Sequence, residues 1–583
     1  MSEEEKMKEK SIIHGSFMDS NDQYTQDKKA QILAYNNTDE ELVLWKNDKG
    51  IVNFSLIALD EPILNLRIEL EGFTSDEGHK LDDVEIFQVQ STLAFTGSND
   101  STNRDLPLGN RLEANEILNV FTPTNLTEHS LINLWLMVSA DNESVAGTYH
   151  GKILVRADNL KEDLVFNLKV NLLDLAIPES STYFDLELWQ NPFALAEYYN
   201  VEAFSRQHFS ILEPHMELYK SLGGDTITAT IIEEAWNGQT FGHQEVKFPS
   251  MIQWEMLEDN TLAFNYQNFD AWIEFNHSIG LGNKIICYSI LPWSNQFVYY
   301  DHKIKEKKII QYEIGDENYI KLWTCFLKDF ISHVESKGWK DLIYMGIDER
   351  GFDQNVFNFL KQFVGKDELP LKTAGAIDHL ENKKEIALGL DVLSVGTMAI
   401  KAKPNLFEEI RHYRSEMNKL TYTYSCTGHQ PGNFSLSIPA ESYWTILYSH
   451  SVGANGFLRW AFDSWVEDPL RDSTHRAFES GDCFMVYPDE KYAEKPVSRS
   501  STRMEKLAEG IRDLGKLQFF AENHVAIHSK LHELVKNIPA FYDADDIYLT
   551  EAGKEKIILD IARIKRAINK YSLQISQSEV GKT

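Results

Sequence analysis

Asp348 and Glu349 stand side by side where an apolar run ends, in Leu342-Ile-Tyr-Met-Gly-Ile-Asp-Glu-Arg-Gly-Phe352. Two neighbouring carboxyl groups can divide labour. One stays ionised while repulsion and burial raise the pKa of the other, which keeps its proton. Cleaving a glycosidic bond needs that pairing of a proton donor with a group that supports the anomeric carbon. The competing reading is a solvated strand-end pair, or one matched by Arg350. Tryptophans form the second group. Trp189, Trp293, Trp460 and Trp465 each fall at the end of a strand-like run. An aromatic face stacks on the C–H face of a sugar ring, and the indole N–H stays free to donate a hydrogen bond. Filling the core mouth is the competing role for each. Tyr424 and His429 follow another such run, and Asp463 lies between two of the tryptophans. His429 and Asp463 could meet a sugar hydroxyl, or could serve only in loop packing and capping. Cys426 reads as an inert buried thiol.

These residues need a frame that brings distant segments together. From Tyr183 onward, strand-like runs alternate with helical periods. The strands expected are Tyr183–Trp189, Asp225–Glu233, Lys284–Trp293, Asp341–Asp348, Leu371–Ile377, Asp391–Gly396, Leu420–Cys426 and Gly456–Phe462. One intervening helix carries Phe204, Phe209, Leu212, Met216 and Tyr219 on one face. Another carries Tyr319, Leu322, Trp323, Phe326, Phe330 and Val334. Eight strands each followed by a helix-length segment predict a (β/α)₈ barrel, whose active site lies at the C-terminal ends of the strands. An open doubly wound sheet would carry a Gly-rich turn after its first strand, and Trp189-Gln-Asn-Pro stands there instead.

Upstream the pattern is different. Between about Tyr24 and Leu175, short apolar runs, several of period two, are separated by Gly, Asn and Asp clusters. Val52, Phe54 and Leu56 are one set, and Leu64, Leu66, Ile68 and Leu70 another. This predicts an antiparallel β-sandwich. The expected organisation is a flexible tail at 1–16, a β-sandwich at 17–178, a catalytic barrel at 179–519 and a helical C-terminal extension at 520–583.

Composition excludes several roles. There are 57 Lys+Arg against 89 Asp+Glu, a net charge of −32. Nucleic acid and anionic membrane surfaces are therefore poor partners. Four cysteines in 583 residues make no disulfide framework. The sequence has no His-x-His near the first barrel strand, so neither a catalytic metal nor another cofactor is expected. The N-terminus is charged where a secretory signal would be apolar, and no run reaches the ~18 apolar residues of a spanning helix. A soluble, cytoplasmic protein is the expectation.

One segment is more specific than these patterns. Gly456-Phe-Leu-Arg-Trp-Ala-Phe-Asp-Ser-Trp-Val-Glu-Asp-Pro-Leu-Arg-Asp472, followed by Gly481-Asp-Cys-Phe-Met-Val-Tyr-Pro488, resembles the end of the glycoside hydrolase family 123 catalytic domain. The Asp348-Glu349 pair is similar to that family's catalytic pair. The upstream sandwich, closing with Gly147-Thr-Tyr-His-Gly-Lys-Ile, fits its layout. The resemblance spans about Tyr24 to Gly515, with Pro488-Asp489 standing where Pro-Gly is expected. It implies an exo-acting, retaining β-N-acetylgalactosaminidase that releases terminal β-linked GalNAc, as on glycosphingolipid-type glycans. The sugar's own 2-acetamido oxygen would attack the anomeric carbon. Glu349 would be general acid and then base, and Asp348 would orient and stabilise the acetamide. Trp189, Trp293, Tyr424, His429, Trp460, Asp463 and Trp465 would bind the substrate. Two alternatives stay open: an N-acetylglucosaminidase of the same mechanism, and a non-catalytic glycan-binding barrel.

Overall fold

The computed structural model describes residues 11–95, 111–238, 248–350, 354–426, 428–475 and 477–580. The N-terminal region is a sandwich of two five-stranded sheets. One runs in the order Ile13–Met18, Asp48–Ala58, Leu131–Ala140, Val84–Phe95, Arg111–Val120. The other runs Asp39–Lys46, Leu164–Ala176, Gly147–Arg156, Ile63–Ser75, Thr124–Leu126. Phe54, Leu56, Leu134, Leu136, Ile153, Val155, Phe166 and Leu168 fill the space between them.

Three details differ from expectation. Ile13–Met18, expected to lie mostly in a solvated tail, is an edge strand paired with the long strand Asp48–Ala58. Its period-two pattern is hidden by Gly15. A side chain there would collide with Leu56, Leu164 and Phe166, so the inward position carries none. The apolar run at Ile32–Ala34 belongs to a one-turn helix, Lys29–Leu33. The sandwich is also not wholly antiparallel: Asp39–Lys46 pairs parallel to Leu164–Ala176.

The barrel strands are β1 (Asp185–Leu188), β2 (Ile227–Thr230), β3 (Ile285–Tyr288), β4 (Ile343–Ile347), β5 (Lys372–Ile377), β6 (Val392–Gly396), β7 (Leu420–Tyr424) and β8 (Gly456–Arg459). They form one parallel eight-stranded sheet in the order β1-β8-β7-β6-β5-β4-β3-β2. Four are buried at every position and the other four at all but one, which is why they read as near-continuous apolar runs. The seam between β1 and β2 lacks a full backbone ladder, with a single bridge from Leu186 to Gly224. Side chains complete it. The Gln190 amide donates to Leu188 O and Thr226 O and accepts from Thr228 N. The Tyr219 hydroxyl lies 3.1 Å from Leu186 O and 2.9 Å from Thr226 O.

The helices start where capping side chains stand. Ser205 accepts from His208 N at the head of Arg206–Ser221, and Asp316 accepts from Tyr319 N at the head of Glu317–Lys337. Gly338, with φ 73°, ends the latter. A four-stranded sheet absent from the sequence reading is inserted around β3: Gln253–Met256, Leu262–Asn265, Gln296–Asp301 and Glu306–Gln311. After the barrel come helices Thr502–Asn523, Val525–Lys536 and Glu551–Val580. The first of these runs through position 520, so the expected start of the extension falls inside a helix. No helix of the described residues is long and apolar enough to cross a membrane.

Candidate active site

A cavity of about 160 Å³ opens at the C-terminal ends of the barrel strands. It is lined by Trp189, Trp236, Trp293, Asp348, Glu349, Ala376, Tyr424, Ser425, Cys426, Leu458, Trp460 and Phe478. The apolar run of β4 ends at Ile347, and the two carboxylates follow at once. Adjacent strand residues point to opposite faces, so both can reach one cavity only if the chain bends. It does: Arg350 N donates to Asp348 O, closing a three-residue turn centred on Glu349.

Each carboxylate is held by different donors. Asp348 accepts from the Trp293 indole N–H at 2.7 Å and from Glu349 N at 2.8 Å. Burial pushes its pKa up, and those two donors and the Arg350 charge pull partly back. Glu349 accepts from the Tyr424 hydroxyl. Burial first, and repulsion from Asp348 second, push its pKa up to about 7, against the pull of Tyr424. Arg350 does not form the ion pair of the competing reading. Its guanidinium donates to Asn295 at 2.8 Å and lies over the Trp293 ring, 5.4 Å from the centroid. Among the described residues, neither carboxylate has a cation within 4 Å. A carboxyl near pH 7 in a water-poor pocket can give a proton and take it back.

Aromatic rings form the rest of the cavity. Trp189 packs on Tyr288 and Trp236 with centroids 4.5 and 5.2 Å apart. Beneath them lies Glu187, fully buried, accepting from Trp189 Nε1 at 2.9 Å and from the Tyr288 hydroxyl at 3.3 Å. Burial pushes its carboxyl up to about 7 as well. Trp460 meets Phe478 edge to face, centroids 5.0 Å apart.

The structure thus brings together six of the residues expected from the sequence: Asp348, Glu349, Trp189, Trp293, Tyr424 and Trp460. Tyr424 is engaged with Glu349 rather than waiting for a ligand. Three others lie elsewhere. Asp463 is buried against the barrel wall, 2.6 Å from Asn191 N and 2.8 Å from His215 Nε2. Trp465 is buried, donates to Val486 O at 2.9 Å and packs on Tyr198. Their positions follow from β8 ending at Arg459, three residues earlier than expected. Phe462 N then bonds back to Trp189 O, so the chain has turned away before reaching them. His429 does not line the cavity either. It sits beside Lys401 of the helix Thr397–Ala402, and burial lowers its pKa.

Trp236, which the sequence offers as a candidate at the end of the second strand, also lines the cavity. Cys426 is not in the core as expected: it is half-buried, lines the cavity with Tyr424 and contacts Glu349. Phe478 comes from a loop far beyond β8 and had no signal. Among the described residues no three His, Cys, Asp or Glu side chains converge as a metal site would.

The sequence pattern of the glycoside hydrolase 123 catalytic domain matches residues 189–520, and that of the glycoside hydrolase 123 N-terminal domain matches residues 17–157. The chain belongs to glycoside hydrolase family 123. A family 123 glycoside hydrolase from Clostridium perfringens, analysed structurally for glycolipid glycan hydrolysis, superposes with a TM-score of 0.90. It is 27% identical, with 98% of this chain and 100% of that one covered. Likeness to an endo-β-1,4-mannanase from Thermotoga petrophila is slight, with a TM-score of 0.32 and 11% identity over 59% of this chain and 78% of that one. A comparison with curated proteins found no match. Membership of family 123 makes the chain a glycoside hydrolase with an N-terminal sandwich and a catalytic barrel.

Proposed function

We propose that this glycoside hydrolase is an exo-acting, retaining β-N-acetylgalactosaminidase working by substrate assistance. The observation that carries the reading is the contrast between two adjacent carboxylates in one cavity. Glu349 sits near pH 7 with a hydroxyl as its main partner, while Asp348 is gripped by the Trp293 and Glu349 N–H groups. In this reading the acetamide oxygen of the bound sugar attacks its own anomeric carbon. The C1–O bond breaks, and the leaving oxygen takes the proton from Glu349. An oxazolinium-type ring results, with Asp348 accepting from the acetamide N–H and balancing the positive charge. Water then attacks C1, the ring bond from C1 to the acetamide oxygen breaks and restores the acetamide, Glu349 takes the water's proton, and the sugar leaves with retained configuration. Such enzymes need no nucleophile of their own. The small, aromatic-walled cavity supports removal of one terminal residue at a time. The glycolipid glycans of the Clostridium perfringens relative support a substrate of that class.

Nitrophenyl β-GalNAc, β-GlcNAc, β-Gal and α-GalNAc test this directly. Fast release from β-GalNAc alone is expected. Release from β-GlcNAc at a matching rate would make the enzyme a broader hexosaminidase. Equal release from β-Gal would remove acetamide assistance, and release from none would leave a glycan-binding barrel.

A further inference from the structure

Phe478 differs from the other side chains around the cavity. Those belong to barrel strands or to segments close behind them, whereas Phe478 arrives on a loop after β8 that leaves the barrel and returns. Its ring stands at 77° to Trp460 and stacks on His475, centroids 5.2 Å apart. Besides the bond from Ser435 N of the barrel to Ser480 O at 2.8 Å, parts of the chain outside the barrel hold this loop. On one side it runs along the end of the sandwich strand Val84–Phe95, past the point where that strand pairs with Leu131–Ala140. Leu93 N bonds Arg471 O at 3.0 Å, Ser473 N bonds Leu93 O at 2.8 Å, and Arg111 pairs with Asp472 at 2.7 Å. Ser480, buried, accepts from Phe95 N at 2.8 Å and donates to Phe95 O at 3.2 Å. On the other side the Tyr548 hydroxyl, from the segment before the last helix, donates to the buried Glu479 carboxylate at 2.7 Å. The two residues immediately after Phe478 are therefore fastened to two different parts of the chain.

We propose that Phe478 is a substrate-contacting wall of the cavity, with Ser480 and Tyr548 as the positioning residues that set it. The sandwich and the C-terminal segment are then parts of the active site rather than attached modules. Phe478 fixes the tilt of Trp460, the ring on which a sugar face would lie. If the loop slackens, the sugar is held less well while the carboxylates stay in place. The proposal rests on the glycosidase reading only for the identity of the sugar.

The test uses full-length Ser480→Ala, Tyr548→Phe and Phe478→Ala enzymes, with two readouts. The first is alkylation by iodoacetamide, resolved by peptide mass spectrometry. Cys426 lines the same cavity, Cys325 is exposed, and Cys287 and Cys483 are buried. Each variant is expected to speed modification of Cys426 several-fold and to leave the other three unchanged. Acceleration at Cys287 and Cys483 as well would signal general loosening and overturn the assignment. So would a Cys426 rate within twofold of wild type. The second readout is steady-state kinetics on the best-cleaved glycoside. KM should rise roughly fivefold in Ser480→Ala and Tyr548→Phe, the effect of one lost hydrogen bond, with kcat within twofold. An unmoved KM beside a faster Cys426 would leave Phe478 a wall that no sugar touches, contrary to the proposal. If the wild type cleaves no glycoside, the functional reading fails, and the alkylation result still decides whether the loop forms the wall.

Discussion

Carboxylates are withdrawn from water at two places in this molecule, partly at one and fully at the other, with opposite electrostatics. At the barrel mouth, Asp348 and Glu349 meet N–H and O–H donors and, among the described residues, no cation within 4 Å. Where sandwich, barrel and C-terminal helices join, Asp48, Glu509 and Asp513 are buried against lysines. Lys516 lies 2.9 Å from both Asp48 and Asp513, and Glu509 pairs with Lys506 and Lys565. Burial by itself would raise all of these carboxyls. At the junction the lysines more than reverse it, so Glu509 and Asp513 end below their ordinary range. At the mouth no described residue pairs a cation with Glu349, and burial and Asp348 raise it to about 7. The junction carboxylates are the more deeply buried of the two sets, yet Glu509 and Asp513 among them are the ones that fall. The counter-charge decides whether a carboxylate becomes a fixed tie or a mobile proton site.

The largest expected effect breaks the mouth. Glu349→Gln should lower kcat/KM about 10²–10⁴-fold on glycosides with poor leaving groups and much less on activated aryl glycosides. Equal losses on both would remove Glu349 as the acid. Asp348→Asn should impair both substrates alike. The junction should answer in stability instead. Glu116 pairs with Arg503, both wholly buried. Glu116→Gln should cost about 3–5 kcal/mol in denaturant unfolding and leave the pH profile of the folded enzyme unmoved.

The pH profile sharpens the contrast further. A general acid works protonated, so kcat/KM should fall as pH rises through about 7, the pKa of Glu349. The Tyr424 hydroxyl stabilises the carboxylate, so Tyr424→Phe should move that limb to higher pH; a downward move would contradict its role. Stability should change with opposite signs in the two regions. Glu349 and Glu187, with raised pKa values, contribute stability below their unfolded pKa that is lost as pH climbs to about 7. Glu509 and Asp513, with depressed values, contribute stability above theirs that is lost in acid. The smallest effect is expected at His429. His429→Ala should leave KM within twofold and stability within about 0.5 kcal/mol. A tenfold rise in KM would mean that the sugar extends beyond the cavity.

The sequence made the barrel and the catalytic pair legible for one physical reason. A strand buried on both faces is apolar along its length, so the first charged residues after it mark its end and the barrel's open face. That signal placed Asp348, Glu349, Trp189 and Trp293. It decays with distance from the strand. Trp460, one residue past β8, reaches the cavity, while Asp463 and Trp465 follow a chain that has already turned back. Phe478 depends on a loop path set by the sandwich, which no local pattern encodes. Gly15 shows the reverse case, a strand whose inward position had to be empty and so left no hydrophobic mark.

The tie between Glu116 and Arg503 also has a consequence in time. The two residues are 387 positions apart. A ribosome adding about 5–20 residues per second needs roughly 20–80 s to travel between them. β1 likewise waits for β8, since Leu186 pairs with Phe457. Throughout that interval the carboxylate of Glu116 lacks its Arg503 partner, and the end of the strand around Leu93 lacks the loop that later covers its open side. The nascent sandwich waits with both unmatched until the catalytic cavity can form.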